Sequence, residues 1–101
     1  MIKHIVLWKL KPFAEGRSKE QNMAIMKREL MALNGKIPQI GHIEVGTHLF
    51  PSDAAWDIAL YSEFANEQDL DAYQKHPDHV KAAEFVGKVR ESRAVVDYQV
   101  E

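Results

Sequence analysis

Cysteine is absent from the 101-residue chain, which excludes a disulfide scaffold, a thiol nucleophile and a zinc site built on thiolates. Glycine and proline are sparse, with 5 and 4 residues. No low-complexity stretch, internal repeat or interdomain linker interrupts the chain. An excess of either charge is also missing. The 13 basic residues face 15 acidic ones, a formal charge of −2, which makes no electrostatic case for nucleic acid or an anionic membrane. No strictly apolar run exceeds the four residues Ile5–Trp8, whereas a membrane span needs about 20. The opening Met1-Ile2-Lys3-His4 lacks the form of a secretory signal, so a cytoplasmic location is the expectation. With 46% apolar and 28% charged residues, the chain reads as one soluble domain over 1–101.

Residues 2–10 are rich in β-branched and aromatic types and stop at Lys11-Pro12, which predicts a strand. His4, Val6, Trp8 and Leu10 share one face of it, and Ile5 and Leu7 the other. Ser18 with Gln21 has the form of a capping box opening a helix to about Leu33, with Asn34-Gly35 as its stop. Met23, Met26, Leu30 and Leu33 form the stripe of that helix. Strands are expected over 42–49, with Ile43, Val45 and Thr47 on one face, and over 56–64, where Trp56, Ile58, Leu60 and Phe64 share a side. Ala59 and Tyr61 take the other side of the latter strand. Asn66 caps a short helix that must break at His76, because a residue before proline is pushed out of the helical region. Pro77 then opens a helix over about 77–90, its stripe read as Val80, Ala83, Val86, Phe85 and Val89. A last strand is expected over 94–100, with Val96, Tyr98 and Val100 on one face and Val95 on the other.

This order is the α+β, ferredoxin-like βαββαβ pattern, its second helix broken at His76-Pro77. Helices can cover only one face of a four-stranded sheet, yet the first strand is apolar on both. Two such faces packed together in a homodimer would remove that patch from water.

Chemistry concentrates in Tyr73-Gln74-Lys75-His76-Pro77-Asp78-His79. His79 falls in the first turn of the helix that Pro77 opens, where the positive dipole end favours neutral imidazole, the form a general base needs. Tyr73 could donate a hydrogen bond to an oxyanion. The plainer reading has His76 capping the junction and His79 in solvent. His4 shares the face of Val6 and Trp8, where a histidine is usually a hydrogen-bonded core residue. It gains interest only if that face meets the Tyr73–His79 cluster. His42 and His48 are read as polar-face residues with Glu44. No spacing matches a zinc signature, so no metal is expected.

The runs Ile2–Leu10, Tyr73-x-x-His76-Pro77-x-His79-Val80 and Ala94–Tyr98 resemble the stress-responsive dimeric α/β-barrel (Dabb) domain along essentially the whole chain. That family includes the plant polyketide cyclase olivetolic acid cyclase. The resemblance implies a dimeric α/β barrel and a pocket between sheet and helices. It also implies cofactor-independent aldol or cyclase chemistry on a small carbonyl or aromatic compound. His79 would be the base and Tyr73 the oxyanion donor, with His76 supporting the junction and His4 lining the pocket. Trp8 is placed with them as a pocket or core residue. Ile58 stands where that cyclase has a further pocket histidine. The family leaves open two alternatives, a non-catalytic stress-associated ligand-binding or structural dimer and a cofactor-free monooxygenase of the same fold.

Overall fold

Alternation builds the first strand, β1 (Ile2–Leu10), in the computed structural model, which describes residues 1–101. His4, Val6, Trp8 and Leu10 are buried on its inner face, and Ile5 and Leu7 remain half-buried on the outer one. Helix α1 (Lys19–Met31) starts at the capping box, Ser18 accepting from the Gln21 amide and Gln21 from the Ser18 amide. Its stripe is Met26 and Leu30, continued by Leu33 just beyond the helix end, while Met23 is only partly buried. Strands β4 (His42–Thr47) and β5 (Ile58–Phe64) follow, then α2 (Glu67–Lys75), α3 (Pro77–Val89) and β6 (Arg90–Gln99). The sheet runs β4-β5-β1-β6, and every neighbouring pair is antiparallel. This is the ferredoxin-like topology.

Two two-residue strands, β2 (Phe13–Ala14) and β3 (Arg17–Ser18), precede α1 and have no counterpart in the sequence reading. Glu15 and Gly16 join them with φ of 52° and 74°, the left-handed pair that a two-residue hairpin turn requires. Asn22, fully buried on α1, closes this corner. Its side chain accepts from Arg17 Nε at 2.9 Å and donates to the Ala14 carbonyl at 3.0 Å.

The remaining differences lie at element ends and in facing. Strand β4 ends at Thr47, two residues before the expected Leu49, with one further ladder bond from the His48 amide to the Asp57 carbonyl. His48 lies beside Gly46 on the outer side of the sheet, the side to which His42 and Glu44 also point, and His42 pairs with Glu44 at 2.9 Å. Trp56 precedes β5 and lies on the outer side of the sheet, with Lys9 Nζ 4.9 Å from its ring centre. On α3 the buried stripe is Ala82, Val86 and Val89, whereas Val80 and Ala83 are exposed. Strand β6 begins at Arg90, four residues before the expected Ala94.

The molecule is 18 Å through its shortest extent. That is room for one sheet and one layer of helices. The outer face of the sheet, with Ile5, Leu7, Ala59, Ala94 and Val96, is left uncovered by the chain itself. No helix is long and apolar enough to cross a membrane.

Candidate active site between the helices and the sheet

His76 makes the junction between α2 and α3. Its backbone is extended, and its ring Nδ1 accepts from the Asp78 amide at 3.1 Å. Proline forbids helical geometry at the preceding residue, and the imidazole replaces the missing partner for one of the first-turn donors. His76 is thus an N-cap and does not reach the cavity. The break turns the axis of α3, bringing His79 back over the last turn of α2. The rings of Tyr73 and His79 stand 4.5 Å apart.

A cavity of about 310 Å³ opens here, between α3 and the inner face of the sheet. Tyr73 and His79 line it from the helices, His4, Val6 and Trp8 from β1, and Leu60 from β5. His4 therefore belongs with the cluster, its ring 6.2 Å from that of Tyr73. Ile58 does not reach the cavity. It is 2% exposed in the core, and Leu60 holds the β5 position in the wall. Trp8 has a double character, 5% exposed and lining the cavity, with a buried Nε1 that finds no hydrogen-bond partner.

His79 is half-buried, neither in the core nor in open solvent. Its Nδ1 lies 3.1 Å from the Gln74 carbonyl. A carbonyl only accepts, so Nδ1 carries the proton and neutral His79 keeps its lone pair on Nε2. Burial lowers the pKa of His79 below its ordinary 6.5, against the opposing pull of the Gln74 carbonyl. The charges of His4, Arg93 and His76 push in the same direction as burial. Neutral imidazole is the resting form near pH 7.

Tyr73 is 1% exposed, and burial raises its phenol to about 12. It stays a neutral donor across the physiological range. Sign and size follow. The unfolded phenol ionises near 10 and the folded one near 12, so Tyr73 contributes stability that is complete below pH 10. About 2 kcal/mol of it is lost by pH 12. Chemical denaturation at pH 9 and pH 12 should show a drop larger in the native protein than in Tyr73→Phe by about that amount. Equal drops would contradict a buried phenol.

Three participants escaped the sequence reading. Asp97 on β6 stands opposite His4 in the ladder, and its carboxylate pairs with His4 Nδ1. Such a partner fixes the ring and directs Nε2 away from the carboxylate. The signal was an acid on the same face of the last strand as Val95, the helix-facing side. Arg90 and Arg93 also line the cavity, and both precede the expected start of that strand. No group of three or more histidine, aspartate or glutamate side chains gathers as metal ligands would.

The family model for the stress responsive A/B barrel domain matches residues 2–100. The stress-response A/B barrel domain-containing protein DABB1 of Arabidopsis thaliana is 31% identical over 104 residues, covering 100% of this chain and 48% of that protein. A second stress-response A/B barrel domain-containing protein of Arabidopsis thaliana is 34% identical over 82 residues, 80% of this chain and 29% of its own length. The chain thus spans about half the length, or less, of these curated relatives. Among solved structures, a dimeric ferredoxin-like protein of unknown function from Bacteroides fragilis is 42% identical, with a TM-score of 0.83. That match covers 98% of this chain and 95% of the other. A hydroxynitrile lyase from Passiflora edulis has a TM-score of 0.82 at 20% identity, covering 99% and 93% of the two chains. At that identity the likeness concerns the fold alone.

Proposed function

The chain belongs to the stress-responsive A/B barrel (Dabb) domain family, and from that premise we propose that its cavity performs cofactor-independent acid/base chemistry on a small carbonyl compound. The observation that carries this reading is the contact of His79 Nδ1 with the Gln74 carbonyl at 3.1 Å. That carbonyl holds the Nδ1–H, which leaves Nε2 as the base in a cavity shared with a neutral, buried Tyr73. Nε2 takes a proton from the carbon next to a carbonyl, and the electron pair moves onto the carbonyl oxygen. The Tyr73 hydroxyl donates to the oxyanion that forms. The enolate can then attack a second carbonyl, as in an aldol closure, or recover its proton from His79. His4, held by Asp97, completes the wall and orients the substrate.

The working unit on this reading is a homodimer closed through the outer sheet face. The uncovered apolar strip supports it, and so do the dimeric relatives from Bacteroides fragilis and Thermobifida fusca.

A ketone of slow background exchange, such as an aryl methyl ketone, tests the chemistry in D2O by proton NMR. The expected result is loss of the α-proton signal at a rate proportional to protein concentration. Binding of the ketone in the cavity without exchange above buffer would favour the non-catalytic ligand-binding alternative.

A further inference from the structure

Two arginines stand at the cavity where strand geometry alone would allow only one. Residues three apart in a regular strand point to opposite faces. In β6, however, Arg93 pairs with Trp8 while Arg90 pairs with Leu10, and the register shifts between Lys9 and Leu10. One residue, Glu91, is absorbed by this bulge. Trp8 and Leu10 both face inward, so Arg93 and Arg90 are brought to the same side, and both line the cavity. Re-aiming a side chain beside a site is a recurrent use of a bulge.

Neither guanidinium has a carboxylate partner. The ion pairs of the chain join His4 to Asp97, Lys19 to Asp57, Arg28 to Glu29, His42 to Glu44, Lys75 to Asp71 and His76 to Asp78. The cavity wall itself contains two arginines and two histidines but no acid, in a chain whose formal net charge is −2. Arg93 is close enough to His79 for its charge to lower the pKa of that imidazole. Local positive charge in an acidic chain, with unpaired planar forks at a cavity mouth, is the arrangement that receives a carboxylate.

We propose that Arg90 and Arg93 form an anion subsite, and that the substrate is a keto acid whose carboxylate binds there while its ketone lies between His79 and Tyr73. This deepens the carbonyl reading of the cavity and rests on it. The arginines set which carbonyl compound is taken and hold its reacting carbon against Nε2 of His79. They exchange no proton with it.

A matched pair of probes separates the two ideas, 4-oxo-4-phenylbutanoate and its primary amide. They differ in charge and little in size. Titration calorimetry on the full chain at low salt should show the acid binding roughly 10- to 100-fold tighter than the amide, the effect of a hydrogen bond to a charged group. The preference should shrink as salt is added and disappear in the Arg90→Gln/Arg93→Gln double variant. Both side chains are exposed, so that variant should keep the native melting transition. His79→Asn should keep the preference for the acid while losing α-proton exchange. Equal affinity for acid and amide overturns the anion subsite and leaves the base assignment standing. A preference that survives in the double variant overturns the assignment to these arginines. Preference for the acid in a protein that exchanges no α-proton supports the subsite and sinks the acid/base reading. Binding of neither probe overturns both.

Discussion

Replacing His79 by asparagine is expected to slow α-proton exchange from a bound ketone by about 10²- to 10⁴-fold, the usual contribution of a positioned base. Asparagine is the informative substitution because its amide N–H can still donate to the Gln74 carbonyl that His79 Nδ1 now engages. The junction between α2 and α3 is thereby kept while the lone pair is lost. The pH dependence supplies an independent check. Burial lowers the His79 pKa below 6.5, so the native rate should hold level from neutral pH down past 6.5 and fall only at lower pH, as the imidazole takes a proton. Exchange is measured by NMR between pH 5 and pH 8 at ketone well below saturation, where the pH dependence reports the ligand-free protein. In His79→Asn the acid limb should vanish together with the rate. A variant within threefold of native, or a native limb centred above 6.5, would remove His79 from the role of base.

The proximity of His79 to Tyr73 was legible in the sequence because one proline dictates it. His76-Pro77 breaks the helix at a known point, and Tyr73 and His79 flank that point at short range. The alternation in β1 was equally plain, since every second residue meets the core. The stripe of α3 was misread for a geometric reason. Steps of three residues drift by about 60° each on an α-helix, so Val80, Ala83, Val86 and Val89 wind around the axis. The spacing 82, 86, 89 stays on one side, and adjacent alanines at 82 and 83 gave hydropathy nothing to choose between.

The start of β6 was hidden for a chemical reason. Arg90-Glu91-Ser92-Arg93 is polar, and its inward positions Arg90 and Arg93 face an open cavity mouth, not a core. A bulge in the ladder leaves no mark on hydropathy at all. Asp97 and Asn22 are the same problem in miniature. Each is a polar side chain on a helix-facing or buried position, and its partners, His4 for one and the β2–β3 turn for the other, come from elsewhere in the chain.

If the chain pairs through the outer sheet face as proposed, Val96→Asp is expected to leave it monomeric at micromolar concentration, where the native chain runs as a dimer. Val96 stands on the outer face beside Ile5 in the ladder and is 53% exposed in the single chain. A lone protomer can therefore carry the carboxylate in water at little cost to its own fold. Across a twofold interface each substitution occurs twice, so two uncompensated charges must be buried together. Each costs several kcal/mol in a dry contact. Together they should weaken association by about 10⁴-fold or more. Light scattering coupled to size exclusion reads the mass directly, and circular dichroism confirms that the protomer stays folded. Phe13→Asp is the control. It introduces the same charge at a still more accessible apolar residue, 68% exposed, on the β2–β3 hairpin that packs on the helix side against α1 and α3, and should keep the native mass. If Val96→Asp keeps the dimer mass, the sheet face is not the interface. If both variants dissociate, the effect is one of charge rather than place. Dissociation confined to Val96 would make the apolar outer face the counterpart of the cavity on the inner one, each side of a single sheet assigned its own task.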